Sequence, residues 1–148
     1  MRHKNREPQF LPRKVIKIPN GNVLHGLRKD DDEFRQFGEV YVSKLNRGAV
    51  KGWKNHRKAT LNLIVTHGIV RFVGLVESQV SDSGVEKCLD LIVGEDNHGL
   101  LVVPPGVWLA FGSSGNTEAS IVNVSTEIHD PIEAETADFQ RFGKYWTD

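Results

Sequence analysis

A single cysteine, Cys88, stands among the 148 residues. One cysteine excludes an internal disulfide and any zinc cluster built on several thiolates, and a lone one is most simply a small buried hydrophobe. Net charge is missing too, because nineteen basic and nineteen acidic residues cancel. No overall field then draws the chain to nucleic acid or to an anionic membrane, and any bound anion must be held locally. The apolar runs, such as the one at 100–105, fall far short of the roughly 18 residues that span a bilayer. The basic start MRHKNREPQF is not followed by the apolar segment of a secretory signal. No GxSxG, GxxxxGK, HExxH or GxGxxG sequence occurs, which removes the usual serine hydrolase, nucleotidase, metalloprotease and Rossmann readings. What is left is the expectation of a soluble, cytoplasmic chain forming one domain over 1–148, with 1–13 a basic N-terminal arm.

What is present is mostly β patterning. Residues 15–18, bounded by prolines, suit an edge strand, and after the turn Asn20-Gly21-Asn22 residues 23–28 are expected to pair back on it. Alternating or β-branched runs follow at 39–45, 49–53, 60–66, 69–76, 87–93, 100–103, 107–111 and 119–124, separated by turns such as Asn46-Arg47-Gly48 and His67-Gly68. About ten short strands at this spacing predict a sandwich or barrel rather than an α/β fold. After Asp130-Pro131 the texture changes, and the helix formers of 132–139 predict one short C-terminal helix.

Two stretches organise the chain: GAVKGWKNHRKATLNLIVTHG at 48–68 and VVPPGVWLAF at 102–111. Their spacing resembles the two cupin motifs, with Gly48, Lys54-Asn55-His56, Leu61 and Gly68 in the first and Pro104-Pro105-Gly106 followed by Leu109 in the second. The glycines stand where tight turns need a positive φ. The resemblance implies an all-β double-stranded β-helix, the cupin jelly roll. Cupin metal ligands, however, are replaced at three of four positions. A lysine and two leucines beside His56 do not make a metal site, so neither metal nor other cofactor is expected.

A closer resemblance is to dTDP-4-dehydrorhamnose 3,5-epimerases and dTDP-4-keto-6-deoxyhexose 3,4-ketoisomerases. It rests on Lys51-Gly52-Trp53-Lys54-Asn55-His56, on the turn and strand at 103–111, and on the preceding strand at 38–43. It implies a sugar-nucleotide epimerase or isomerase acting beside the ketone of a nucleoside-diphosphate 4-keto-6-deoxy sugar, in cell-surface polysaccharide synthesis. It also implies a homodimer, with no nucleic-acid or membrane partner. In that setting His56 is the candidate base and Lys54 a base or enolate stabiliser, while Tyr41 is the candidate acid. Lys51 stands where the family's diphosphate-binding arginine stands; Arg71 is a further cation, and Trp53 and Trp108 are candidates to stack on the base or the sugar. Each has a plainer alternative: a core histidine, a buried tyrosine ring, packed tryptophans, an outward-facing lysine. Because the usual first histidine and the epimerase lysine are replaced by Lys54 and Leu61, a catalytically silent barrel binding a sugar nucleotide or a protein is the alternative function.

Overall fold

A computed structural model describes residues 7–147; residues 1–6 of the expected basic arm, and Asp148, lie outside the described residues. The strands are β1 (Gln9–Pro12), β2 (Val15–Ile16), β3 (Val23–Leu24), β4 (Glu39–Leu45), β5 (Val50–His56), β6 (Leu61–His67), β7 (Val70–Glu77), β8 (Val85–Val93), β9 (Gly99–Val103), β10 (Trp108–Ser113), β11 (Ala119–Ser125) and β12 (Ala134–Thr136). They form two antiparallel five-stranded sheets, ordered β1-β9-β6-β11-β4 and β12-β5-β10-β7-β8, plus a β2-β3 ribbon. The jelly roll follows from the alternation. Along β11, Ala119, Ile121, Asn123 and Ser125 are buried while the residues between them are partly exposed, so one face of each strand is committed to the interior.

Leu45, Leu61, Leu63, Val65, Phe72, Leu101, Leu109 and Ile121 meet between the sheets as the main core. A second cluster lies on the far side of the β12–β8 sheet, where Trp53, Val73, Leu75, Trp108 and Ala110 are covered by Phe142. The cover is a 3-10 turn at Phe139–Phe142 followed by the short helix α1 (Lys144–Thr147). Among the described residues no helix is long and apolar enough to cross a membrane. Gly48, Gly68 and Gly106 have φ of 74°, 76° and 90°, as their turn positions require. Cys88 is half-buried, and burial pushes its thiol up to about 11, which keeps it protonated and unreactive near neutral pH.

Two local expectations change. The short C-terminal helix exists but begins after residue 139. Within 132–139, Ala134–Thr136 pairs with His56, Asn55 and Lys54 as strand β12. Helix propensity is worth only tenths of a kcal/mol per residue, whereas the open edge of β5 offers backbone groups that must be paired. In the N-terminal region, the edge of the first sheet is made by β1, in register with β9. Val15 and Ile16 do pair with Leu24 and Val23 across the Asn20-Gly21-Asn22 turn, as expected, but as a separate two-stranded ribbon.

Candidate active site

A cavity of about 220 Å³ lies between the sheets. Tyr41, Ser43, Leu61, Leu63, Ile121 and Asn123 line it from the first sheet, and Lys51, Gly52, Lys54, His56, Leu109 and Phe111 from the second. All four positions of the cupin ligand pattern, Lys54, His56, Leu61 and Leu109, therefore converge on it. Their chemistry does not fit a metal, since a lysine and two leucines offer no converging donors. Among the described residues no three His, Cys, Asp or Glu side chains are grouped where they could hold one.

Strand β5 reaches this cavity with more side chains than strict alternation allows. Opposite β10, Leu109 pairs with Lys54 but Phe111 pairs with Lys51, so three steps on β5 match two on β10. This bulge turns both lysines inward. It passes through Gly52, whose φ is 151°. A Cβ there would lie 2.5 Å from that of Ala110, so glycine alone fits. Neither lysine has a hydrogen-bond or ion-pair partner among the described residues. Two lysines without such a partner, on the wall of a cavity that Tyr41, Ser43, His56 and Asn123 also line, attract an anion or a developing oxyanion.

His56 is held by a residue from the region expected to be helix. Its Nδ1 lies 2.7 Å from Glu133 Oε2, with both side chains largely out of solvent. Glu133 Oε1 accepts the amides of Lys58 and Ala59 at 2.8 Å each. Burial works to raise the carboxyl, but the hydrogen bonds from Ala59, Lys58 and His56 outweigh it and hold the group down at about 2. A carboxylate only accepts, so the His56 proton sits on Nδ1 and the lone pair of the neutral ring is on Nε2. Around this end the rim is acidic, with Glu39, Glu127 and Asp130 beside Glu133.

Tyr41, in the facing sheet, accepts a 2.7 Å hydrogen bond from Asn123 Nδ2 on its hydroxyl oxygen. Burial raises this hydroxyl above its ordinary range; the Asn123 bond opposes the rise, and Glu39 and Glu133 add to it.

The structure thus brings together Tyr41, Lys51, Lys54 and His56, and does not bring the other three residues singled out from sequence. Trp53 is buried on the far face of its sheet, its Nε1 donating to the Phe139 carbonyl at 2.9 Å and its ring stacked on Phe139. Trp108 packs against Phe142 there. Arg71 is engaged by Asp90 through two bonds of 2.9 and 2.8 Å, by the Trp146 carbonyl and by the Trp146 ring. The reason is the pleat: if Lys54, Leu109 and Phe72 face inward, their neighbours Trp53, Trp108 and Arg71 face outward. The residues that sequence reasoning missed are Glu133, Ser43 and Asn123. Asn123 left a signal, being a polar residue on the buried side of an apolar strand. Glu133 left none.

No family model matches the chain, and no curated protein matches it in sequence. Solved structures do. A dTDP sugar isomerase from Desulfovibrio desulfuricans G20 is 32% identical, with a TM-score of 0.84 over 95% of this chain and 90% of that one. A dTDP-4-dehydrorhamnose 3,5-epimerase from Sulfolobus tokodaii (16% identity, TM-score 0.77, 91% and 79% covered) shares the fold. So does a sugar 3,4-ketoisomerase from Thermoanaerobacterium thermosaccharolyticum solved with TDP (16%, 0.71, 95% and 96%). With its cavity at the cupin positions and this identity along nearly its whole length, the chain belongs to the dTDP-sugar isomerase family, an epimerase- and isomerase-like branch of the cupins.

Proposed function

We propose that the protein is a sugar-nucleotide epimerase or ketoisomerase that removes a proton next to the ketone of a TDP-linked 4-keto-6-deoxy sugar. The observation that carries this reading is the His56–Glu133 pair at 2.7 Å facing the Tyr41 hydroxyl across a cavity with unpaired lysines. His56 Nε2 takes the proton, and Glu133 stabilises the resulting imidazolium. Lys54 places a positive charge where the enolate oxygen develops, and Tyr41 supplies the proton that completes the exchange. Leu61, Leu63, Leu109, Phe111 and Ile121 make an apolar floor that suits the deoxygenated face of such a sugar. The acidic rim repels phosphate, so the diphosphate lies toward Lys51, which keeps the charge of an arginine without its bidentate fork.

The test is incubation with TDP-4-keto-6-deoxyglucose in deuterium oxide. Deuterium at sugar C3 marks 3-epimerisation, at C3 and C5 3,5-epimerisation, and at C4 of a 3-keto product ketoisomerisation; one of the three is the expected result. Binding without any exchange would sink the reading and leave a silent sugar-nucleotide barrel.

The same reading includes a homodimer. Val40 and Val42, each more than half exposed, sit on the outer face of β4 at a sheet edge, a surface that pairing would cover. Sedimentation should give twice the chain mass, falling to one chain mass in the Val40→Lys/Val42→Lys double variant. A wild-type monomer at micromolar concentration rules the dimer out.

A further inference from the structure

The catalytic reading leaves open what makes Tyr41 an acid rather than a hydrogen-bond acceptor, and the answer lies on β11. We propose that Asn123 is a positioning residue that fixes the Tyr41 hydroxyl as a proton donor into the cavity and shares the charge left once the proton has gone. The proposal rests on the function proposed above for its catalytic part only.

Asn123 is 2% exposed and lies directly across from Tyr41 in the β11–β4 register. Its orientation is not free. The backbone amide of Asn62 on β6, which can only donate, meets Asn123 Oδ1 at 3.2 Å. That contact assigns the amide oxygen to the β6 side and turns Nδ2 toward β4, where it lies 2.7 Å from the Tyr41 oxygen. A hydroxyl that receives an N–H cannot aim its own hydrogen back along the same line. The Tyr41 proton therefore points away from Asn123, toward the cavity that both side chains line. When Tyr41 gives that proton to the enolate, the phenolate oxygen keeps the Nδ2–H bond, which strengthens as charge develops. His56 then releases its proton to water and Tyr41 takes one up, which completes the cycle. An asparagine buried this deeply has no solvent to replace the bond, so donor and tyrosine are tied together.

This geometry makes Asn123→Asp the discriminating substitution. An aspartate keeps the shape and still accepts from the Asn62 amide, but its second oxygen faces Tyr41 as an acceptor and draws the hydroxyl proton away from the cavity. Only two tyrosines, Tyr41 and Tyr145, occur in the chain, so ultraviolet titration against Tyr41→Phe isolates Tyr41 without any substrate. We expect its ionisation midpoint to rise by about one unit or more in Asn123→Asp. In turnover, kcat should fall about 10- to 100-fold, with KM within about threefold and the alkaline limb of the pH profile displaced the same way. Asn123→Ala, which removes the donor without adding charge, should raise the midpoint too and decides the matter if the aspartate variant does not fold. A Tyr41 midpoint unchanged in the folded variant, or an alkaline limb that stays in place, overturns the proposal. Because the titration needs no sugar, its failure is distinct from a failure of deuterium exchange.

Discussion

Replacing His56 with asparagine should lower kcat for exchange beside the ketone by about 1,000-fold, within the range general-base catalysis supplies, while KM should stay within a few-fold. Asparagine is the informative choice, because its Nδ2 can take the place of His56 Nδ1 and keep the donation to Glu133 Oε2. Glu133 then keeps all its partners and the end of β5 its packing, and what disappears is the Nε2 lone pair. The measurement is the rate of deuterium incorporation, with binding of the TDP-sugar followed by calorimetry. Exchange within about tenfold of wild type would remove His56 from the role and move it to Lys54. Lys54→Met would then have to abolish what His56→Asn had spared.

Glu133→Gln gives the largest expected change in stability, and a pH dependence of definite sign. Folding moves this carboxyl from 4.5 down to about 2. The displacement corresponds to about 3 kcal/mol at 1.36 kcal/mol per unit. No large discount for solvent screening applies, because the side chain is 9% exposed. A group whose folded value is depressed contributes its stability above the unfolded value, so the contribution is complete above 4.5 and is lost as pH falls from 4.5 toward 2. Urea unfolding should therefore show the variant less stable by about that amount at pH 7, with the two proteins converging toward pH 2. Parallel curves through this window would show that the carboxylate is not held as described. Activity should fall as well, about 10- to 100-fold, since a neutral amide neither fixes the His56 tautomer nor stabilises the imidazolium.

Both residues bear on how far the site could be read from the chain. His56 was legible: it stands at a cupin ligand position, two residues from Lys54 on a strand, so one face carries both. The glycine turns at 48, 68 and 106 carried the frame, because their left-handed φ values are a local property of the residue type. Glu133 was not legible. It lies 77 positions from His56 in a segment whose composition favours helix, and it becomes a strand neighbour only because β12 completes the open edge of β5.

The sequence by itself determined the alternation that makes two sheets, the turns that close them, and the replacement of metal donors by Lys54, Leu61 and Leu109. The tryptophans could have been placed by the same alternation, which turns Trp53 and Trp108 away from the cavity once Lys54 and Leu109 face it. Only the tertiary structure decided that Lys51 joins Lys54 inside, that Arg71 is taken by Asp90 and Trp146, and that Asn123 faces Tyr41. Those outcomes depend on one extra residue in the β5–β10 pairing and on cross-strand register between distant segments. Local residue preferences carry no record of register, because it is set by which backbone groups are left to pair and which faces the whole barrel must bury.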